Sequence, residues 1–254
     1  MKILILVQST DNHFYKPLIE TQQQTWDSIE HPDITVVYYK PDLLNEDLEG
    51  NVLKVGHIDR GDHAFFILAK ALRYMLKKDY WDYVVKTDNS VYINKELLYN
   101  LLLNKPREKY FGGIVIHHKD LSEESKKIFL EDLKFLWGEL MVLSRDIAVH
   151  IVDTFNKAPF KGLGADDINI SQILKDYCVW DESLKIALDE SDLSNYAYRV
   201  RRFGQSFSPM FMKPENFQDI INSDILTMNK IHNLITNGKD NNREIISHEA
   251  QGEA

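Results

Sequence analysis

The sequence predicts one α/β domain in which helices cover both faces of a mainly parallel sheet. Short apolar segments rich in β-branched residues, typical of buried parallel strands, alternate with segments whose apolar residues recur every three or four positions, typical of helices. This alternation predicts strands and helices in separate layers. The 254 residues are 44% hydrophobic and 27% charged. These are ordinary globular values, and they exclude a wholly disordered or collagen-like chain.

The first part of the chain contains two predicted strands and one predicted helix. Residues 2–8 are apolar, rich in β-branched side chains and followed by a polar turn, which indicates a buried strand. A helix is predicted over residues 17–26 because proline favours the first helical turn. A second strand is predicted over residues 34–39, ending before Lys40 and Pro41. The polar segment 42–61 has weak periodicity and is predicted to be a long connection.

The middle of the chain has the clearest helical pattern. Apolar residues from Phe65 to Leu76 recur at three- and four-residue steps, with Asp62 as the expected N-cap. A central strand at residues 83–85 runs into the polar segment 86–90. The elements that we expect next are a helix at 95–103, a strand at 110–116 interrupted by Gly112 and Gly113, a strand at 140–143, a helix at 147–155 and a helix from Asp166 to Leu174.

Charge and cysteine content narrow the class of protein. The formal net charge is −9 and the isoelectric point is about 5.5, which argues against general nucleic-acid binding. The single Cys178 excludes an intrachain disulfide and favours a reducing compartment. No segment offers the roughly 18 uninterrupted apolar residues of a membrane span, and the N-terminal apolar run is too short for a secretory signal. We therefore expect a cytoplasmic protein.

The chain shows no internal repeat and no internal linker. Residues 1–236 are predicted to form one domain. Residues 237–254 are polar and almost free of large apolar side chains, so we expect a mobile C-terminal tail there.

Polar residues cluster where predicted strands end, and ligands bind at the carboxyl ends of strands in open α/β sheets. The clusters are residues 9–11, residues 86–90, residues 137–139 ahead of the strand at 140–143, and residues 162–167 ahead of a helix. Each cluster alone is more typical of an ordinary turn or cap than of a site.

Four sequence blocks, taken together, carry a resemblance to a known family. KTDNSVYIN at 86–94 is similar to Lys-Thr-Asp-x-Asp-hydrophobic-Phe-Val-Asn, and QQTW at 23–26 is similar to Arg-x-Thr-Trp. WGELMVLSRD at 137–146 and DDINIS at 166–171 resemble two further motifs. The four blocks occur in the same order as in the β-1,3-glycosyltransferases of glycosyltransferase family 31. The chain therefore resembles this family over residues 1–174.

The resemblance implies a GT-A fold, a Rossmann-like α/β/α sandwich, and an inverting sugar transfer. It places Asp167, helped by Asp166, as the catalytic base. A base is needed because the acceptor hydroxyl must lose its proton as it attacks. The residues implied in nucleotide-sugar binding are Ser9 and Thr10 for the base, Asp88 and Ser90 at the diphosphate, Lys86 in support, and Asn89, Trp137 and Glu139 within the matched blocks.

The same resemblance implies a Mn or Mg ion held by Asp88 and Ser90. Ser90 replaces the second acid of the family's Asp-x-Asp segment, and a hydroxyl is a poorer ligand for these ions than a carboxylate. The segment 211–214 also lacks the family's histidine, although its Lys213 could neutralise charge. Whether a metal is required is left open.

The predicted function is the transfer of a sugar from a nucleotide-diphosphate donor, a UDP-sugar first of all, to a glycan or lipid-linked acceptor in a bacterial or viral setting. One alternative is a viral transferase that glycosylates modified DNA bases, supported only by Arg199, Arg201 and Arg202 and opposed by the overall charge. The other is a degenerate GT-A domain that binds a nucleotide or glycan without turnover. The departures at Ser90 and Gln23 permit this reading.

Overall fold

The computed structural model describes residues 1–57, 63–117, 134–157, 166–181, 186–187, 197–199 and 217–249. The elements up to residue 103 are β1 (Ile3–Gln8), α1 (Lys16–Gln24), a 3-10 turn (Trp26–Ser28), β2 (Ile34–Asp42), β3 (Asp47–Glu49), β4 (Val52–Gly56), α2 (Ala64–Lys78), β5 (Tyr83–Thr87), β6 (Val91–Tyr92) and α3 (Lys95–Leu103). They are followed by β7 (Tyr110–His117), β8 (Lys134–Ser144), α4 (Arg145–Lys157), α5 (Asp166–Leu174), β9 (Val179–Asp181), β10 (Ile186–Ala187), β11 (Ala197–Arg199) and α6 (Phe217–Glu249).

Eight strands form the central sheet in the order β3-β4-β2-β1-β5-β8-β7-β9. Six of them run in one direction, while β3 and β8 run in the other. The predicted mainly parallel α/β class is therefore confirmed. A smaller sheet, in the order β10-β11-β6, lies beside the carboxyl end of β5.

Two apolar layers hold the sheet between helices. Ile3, Ile5 and Val7 of β1 pack into one layer, with residues of α1, α3 and α6. Leu4 and Leu6 pack into the other layer, with residues of α2, α4 and α5. Alternate residues of a strand point to opposite faces, and all five of these side chains are fully buried. The apolar run in β1 therefore reflects burial on both faces, as expected for the centre of an α/β/α sandwich.

The segment 42–61 is not the long connection that we predicted. It contains β3 and β4, and β4 runs parallel to β2 as far as the pairing of Asp42 with Gly56. Leu53 and Val55 of β4 are buried in the core. Pro41 does not end β2, because it lies near the strand's end, where proline is tolerated.

Part of the C-terminal segment that we predicted to be a mobile tail is helical. The backbone of residues 237–249 continues α6, whose Ile221, Met228 and Ile231 are buried in the core. The domain boundary at 236 and the mobility of the tail stay predictions. No helix in the described part of the chain is both long and apolar enough to span a membrane.

Candidate active site

The site is organised by an irregularity in β8 at the carboxyl edge of the sheet. Gly113 of β7 pairs with Met141, but Val115 pairs with Leu136, so the intervening part of β8 bulges out of the ladder. Trp137, Gly138 and Glu139 therefore lie within β8 and not ahead of the strand, which corrects the prediction. Bulges of this kind often lie beside active sites, where they redirect chemical groups.

Hydrogen bonds from β5 hold this bulge in place. Lys86 Nζ donates to the carbonyl oxygen of Gly138 over 2.5 Å, and Thr87 Oγ1 donates to the carbonyl oxygen of Glu139 over 2.8 Å. Gly113 is needed at the same point, because a Cβ there would lie 2.7 Å from the carbonyl oxygen of Leu140. The bulge thus turns main-chain polar groups of β8 towards Lys86.

Lys86 and Asp166 form a buried ion pair. Lys86 Nζ lies 2.8 Å from Asp166 Oδ2, and the two side chains are 4% and 11% exposed. Burial pushes the pKa of Lys86 down, but the nearby carboxylates of Asp166, Asp88 and Asp167 outweigh it and raise that pKa overall. Lys86 is therefore a fixed positive charge at this edge of the sheet.

Asp167 lies beside this pair in the first turn of α5. Its Oδ1 accepts a hydrogen bond from the backbone N–H of Ile168 over 2.8 Å, and its Oδ2 accepts one from the N–H of Gly138 over 3.3 Å. Burial and the negative charge of Asp166 raise the pKa of Asp167 to about 6, although Lys86 and the two N–H donors oppose the shift. A carboxyl group with this pKa is ionised at neutral pH and is more basic than an ordinary aspartate.

The segment after β5 closes into a tight turn. Asp88 Oδ1 accepts hydrogen bonds from the backbone N–H and the hydroxyl of Ser90, over 2.9 and 2.6 Å. Gln22 of α1 supports the turn from outside, since its Nε2 donates to the carbonyl oxygens of Asp88 and Val91 over 3.1 and 2.9 Å. Asn89 and Ser90 are both buried, whereas Asp88 is partly exposed.

Ser9 and Thr10 lie at the end of β1, next to β5 in the sheet. The backbone N–H of Ser9 donates to the carbonyl oxygen of Tyr39 over 2.9 Å, which extends the pairing with β2. Thr10 Oγ1 accepts a hydrogen bond from the N–H of Asn12 over 3.2 Å, so it helps to form the turn that leads to α1. The sequence-predicted residues at the ends of β1 and β5 thus lie along one edge of the sheet.

The described residues do not supply the set of oxygen ligands that a divalent-metal site needs. Ser90 is fully buried and its hydroxyl donates to Asp88, and a hydroxyl is a weaker ligand for Mg or Mn than the carboxylate that it replaces. Asp88 Oδ1 is already engaged by both Ser90 donors, which leaves one carboxylate oxygen for an ion that prefers six oxygen ligands. No group of three or more His, Cys, Asp or Glu side chains within the described ranges could hold an ion.

Several site residues were missed from the sequence. Gln22 looks like an ordinary helical residue next to the matched block, and Tyr39 looks like a core residue of a buried strand. Gly138 belongs to a matched block, but it acts through its backbone, which side-chain chemistry does not signal. Its glycine identity has a structural reason, since a Cβ would lie 3.3 Å from both Cβ and Oδ2 of Asp167.

Other expectations fall beyond the described part of the chain. Asp62, Arg201, Arg202 and residues 211–214, with Lys213, lie outside the described residues. Arg199 belongs to β11, where its backbone pairs antiparallel with Val91 of β6. The alternative based on this arginine cluster is therefore untested.

Solved structures with a similar fold include enzymes of more than one kind. A glycosyltransferase involved in the glycosylation of the major capsid of PBCV-1 has 10% identity and a TM-score of 0.47, over 87% of this chain and 100% of that one. The galactosyltransferase LgtC has 12% identity and a TM-score of 0.40, over 87% and 95% of the two chains. The bifunctional IspDF from Campylobacter jejuni has 9% identity and a TM-score of 0.41, over 71% and 49%.

At such low identities and TM-scores, these likenesses concern the general α/β architecture and assign no reaction. The sequence itself matches no protein family and no curated protein. Membership of glycosyltransferase family 31 therefore stays a prediction.

Proposed function

We propose that this protein is a GT-A glycosyltransferase that moves a sugar from a nucleotide-diphosphate donor, a UDP-sugar, to a hydroxyl group of an acceptor, with inversion at the anomeric carbon. The observation that carries the proposal is the position of Asp167. Its partly exposed carboxylate, with a pKa raised to about 6, lies beside the Lys86–Asp166 pair at the carboxyl edge of the sheet. Ligands of open α/β sheets bind at this edge.

Asp167 is a better base than its neighbour Asp166. Asp166 is bound to the Lys86 ammonium over 2.8 Å, so the ion pair already occupies its carboxylate. Among the described residues, Asp167 accepts hydrogen bonds from backbone N–H groups alone, and burial destabilises its anion. Two adjacent carboxylates thus acquire different properties, which is how paired acids divide their roles in known active sites.

The proposed reaction needs one proton acceptor and one leaving group. Asp167 takes the proton of the acceptor hydroxyl as the hydroxyl oxygen forms a bond to the anomeric carbon of the donor sugar. The bond between that carbon and the diphosphate oxygen breaks, and UDP leaves with the electron pair. Lys86 and Asp166 stay paired and keep the β8 bulge, and hence the N–H donor of Gly138, in position.

No step in this scheme passes through a metal ion, because the turn of Asp88 and Ser90 offers such an ion a single carboxylate. The negative charge on the leaving UDP still has to be met by positive groups or hydrogen-bond donors. Lys86 adds positive charge at the edge of the sheet although its ammonium is bound to Asp166 and Gly138. The backbone N–H groups at the ends of β1 and β5, other than those of Ser9 and Ser90, are further candidates. A lipid-linked or soluble glycan is the acceptor that we propose.

A binding screen tests the donor class. Ligands that bind only the native state raise the melting temperature, so UDP, GDP, CDP and several UDP-hexoses should be compared with and without Mn. We expect UDP and at least one UDP-hexose to raise the melting temperature, with little dependence on Mn. If no nucleoside diphosphate changes the melting temperature, the proposed function is wrong. If UDP binds but no sugar is ever released from any donor, the protein is a binding module and not a transferase.

A further inference from the structure

Tyr39 has a buried hydroxyl group that the fold does not use. Its side chain is fully buried, and within the described ranges no protein atom forms a hydrogen bond with its hydroxyl oxygen. Burying a hydroxyl without a partner destabilises a protein by roughly 1–3 kcal/mol, so such groups are rare and call for an explanation. A phenylalanine would fill the same space without this penalty.

The strand register places Tyr39 on the same face of the sheet as Lys86. Leu6 of β1 is in register with Val37 of β2 on one side and with Lys86 of β5 on the other. Tyr39 follows Val37 by two positions, and residues two apart in a strand point to the same face. Tyr39 and Lys86 are thus separated by two strand spacings across the sheet and two residues along it, roughly 12 Å between backbones, a gap that their long side chains narrow from both sides.

Two carboxylates of the site act electrostatically on the same hydroxyl. Burial raises the pKa of Tyr39 well above its ordinary value, and the carboxylates of Asp166 and Asp88 raise it further. Both carboxylates therefore act on the Tyr39 side chain through the protein interior. The ring of Tyr39 packs in the apolar layer with Leu4 and Leu6, while its hydroxyl is within the electrostatic influence of the site.

The mixture of groups around Tyr39 favours one kind of ligand. Asp88 and Asp166 only accept hydrogen bonds, whereas Lys86 donates and Tyr39 can do both. A phosphate group only accepts, so it could not form a hydrogen bond with either carboxylate. A sugar hydroxyl donates to a carboxylate and accepts from a phenol at the same time, so it matches both kinds of partner.

We infer that the Tyr39 hydroxyl binds a hydroxyl group of the donor sugar and helps to determine which sugar is accepted. This inference rests on the proposed function and adds a specificity-determining residue to it. A buried donor that is satisfied only by the correct ligand also disfavours sugars that lack the matching hydroxyl, because their binding leaves it unpaired.

The test compares Tyr39→Phe with Tyr83→Phe by calorimetric titration with UDP and with the UDP-hexose that binds best among UDP-glucose, UDP-galactose and their N-acetyl derivatives. Tyr83 is the matched control, because its hydroxyl donates to the carbonyl oxygens of Lys105 and Pro106 at the opposite edge of the sheet. Tyr39→Phe should bind UDP within about 2-fold of the parent but bind the UDP-hexose about 3- to 10-fold more weakly, the effect of one lost hydrogen bond. Tyr83→Phe should bind both ligands like the parent.

The free energy of unfolding, measured without ligand, gives a second and independent test. Tyr39→Phe should be at least as stable as the parent, whereas Tyr83→Phe should be less stable because it loses a satisfied bond. Equal binding of the UDP-hexose by Tyr39→Phe and the parent would overturn the role of Tyr39 and leave the proposed function standing. A clear loss of stability in Tyr39→Phe would overturn the premise. A parent that binds no UDP compound at all would remove the proposed function, and the inference with it.

Discussion

Lys86 and Asp166 form an ion pair of 2.8 Å in which both side chains are almost completely removed from solvent. The pair joins the last part of β5 to the first turn of α5, so it links two of the sequence blocks that carry the resemblance. Lys86 also donates to the Gly138 carbonyl and thereby joins the third block to the other two. The blocks are far apart in the sequence but meet at one charged centre.

Substitutions in this pair should be strongly destabilising, and their effects should not add. Lys86→Met and Asp166→Asn should each destabilise the fold by about 3–5 kcal/mol, because each leaves a buried group without its partner. The double variant Lys86→Met/Asp166→Leu should lose less than the sum of the two, since neither member of the pair is left as a buried charge without its partner. Denaturant unfolding of all three measures the coupling. Lys16→Met, which removes an exposed ion pair with Glu20, is the control and should change stability by less than about 1 kcal/mol.

Replacing Gly138 should reduce activity more than it reduces stability. In Gly138→Ala the new Cβ would lie 3.3 Å from Cβ and Oδ2 of Asp167, so the carboxylate has to shift. We expect turnover to fall at least about 10-fold, since small displacements of a catalytic base are costly, while the fold loses only about 1–2 kcal/mol. Gly56→Ala is the control, because its nearest neighbour would be at an ordinary 3.6 Å. Equal turnover in both variants and the parent would show that Asp167 tolerates the displacement.

Substitutions in the turn at Asp88 should change how the stability of the protein responds to Mn. Ser90→Asp should destabilise the metal-free protein, because a second carboxylate is then buried against Asp88 in place of a hydrogen-bonded hydroxyl. Added Mn should restore part of that stability, since two adjacent carboxylates bind such ions well. The neutral variant Ser90→Asn should show no response to Mn. Identical melting temperatures of Ser90→Asp with and without Mn would mean that this turn does not face a cation site.

The raised pKa of Asp167 should make part of the protein's stability depend on pH. Its pKa is raised from the ordinary value of 3.8 to about 6, so the folded protein still holds a proton that the unfolded chain has released. The contribution of Asp167 to stability therefore falls as the pH rises from about 4 to about 6, and this contribution is constant above that window. Asp167→Asn has no charge to bury, so its advantage over the parent should grow across the same window to the order of 2 kcal/mol. Asp153→Asn, at an exposed position of α4, should parallel the parent at every pH.

Much of the fold could be predicted because local signals agreed with the global architecture. Helix α3 begins and ends as predicted, since Asn94 caps it through a 3.1 Å bond from the N–H of Leu97. Helix α5 also has its predicted limits, with two acids in its first turn. β3 and β4 were missed because they are short and β3 is largely exposed, so a buried alternation was hard to detect.

The candidate site was only partly predictable for a different reason. Lys86 and the carboxylates belong to sequence blocks whose order can be recognised, and the structure brings them together. The bulge of β8 depends on pairing with both β5 and β7, and the direction of β8 opposes both neighbours. Such long-range pairing leaves no local signal, so the role of Gly138 and the unused hydroxyl of Tyr39 emerge only in three dimensions.

The most direct test of the account is the pH dependence of sugar release from the best-binding UDP-sugar, measured for the parent and Asp167→Asn. If Asp167 is the base, the rate for the parent should rise about tenfold per pH unit below about 6 and level off above it, following the raised pKa. Asp167→Asn should bind the donor normally, turn over about 10²–10⁴-fold more slowly, and lose this pH dependence. A parent and a variant with equal rates and equal pH profiles would contradict the central claim that Asp167 takes the proton of the acceptor.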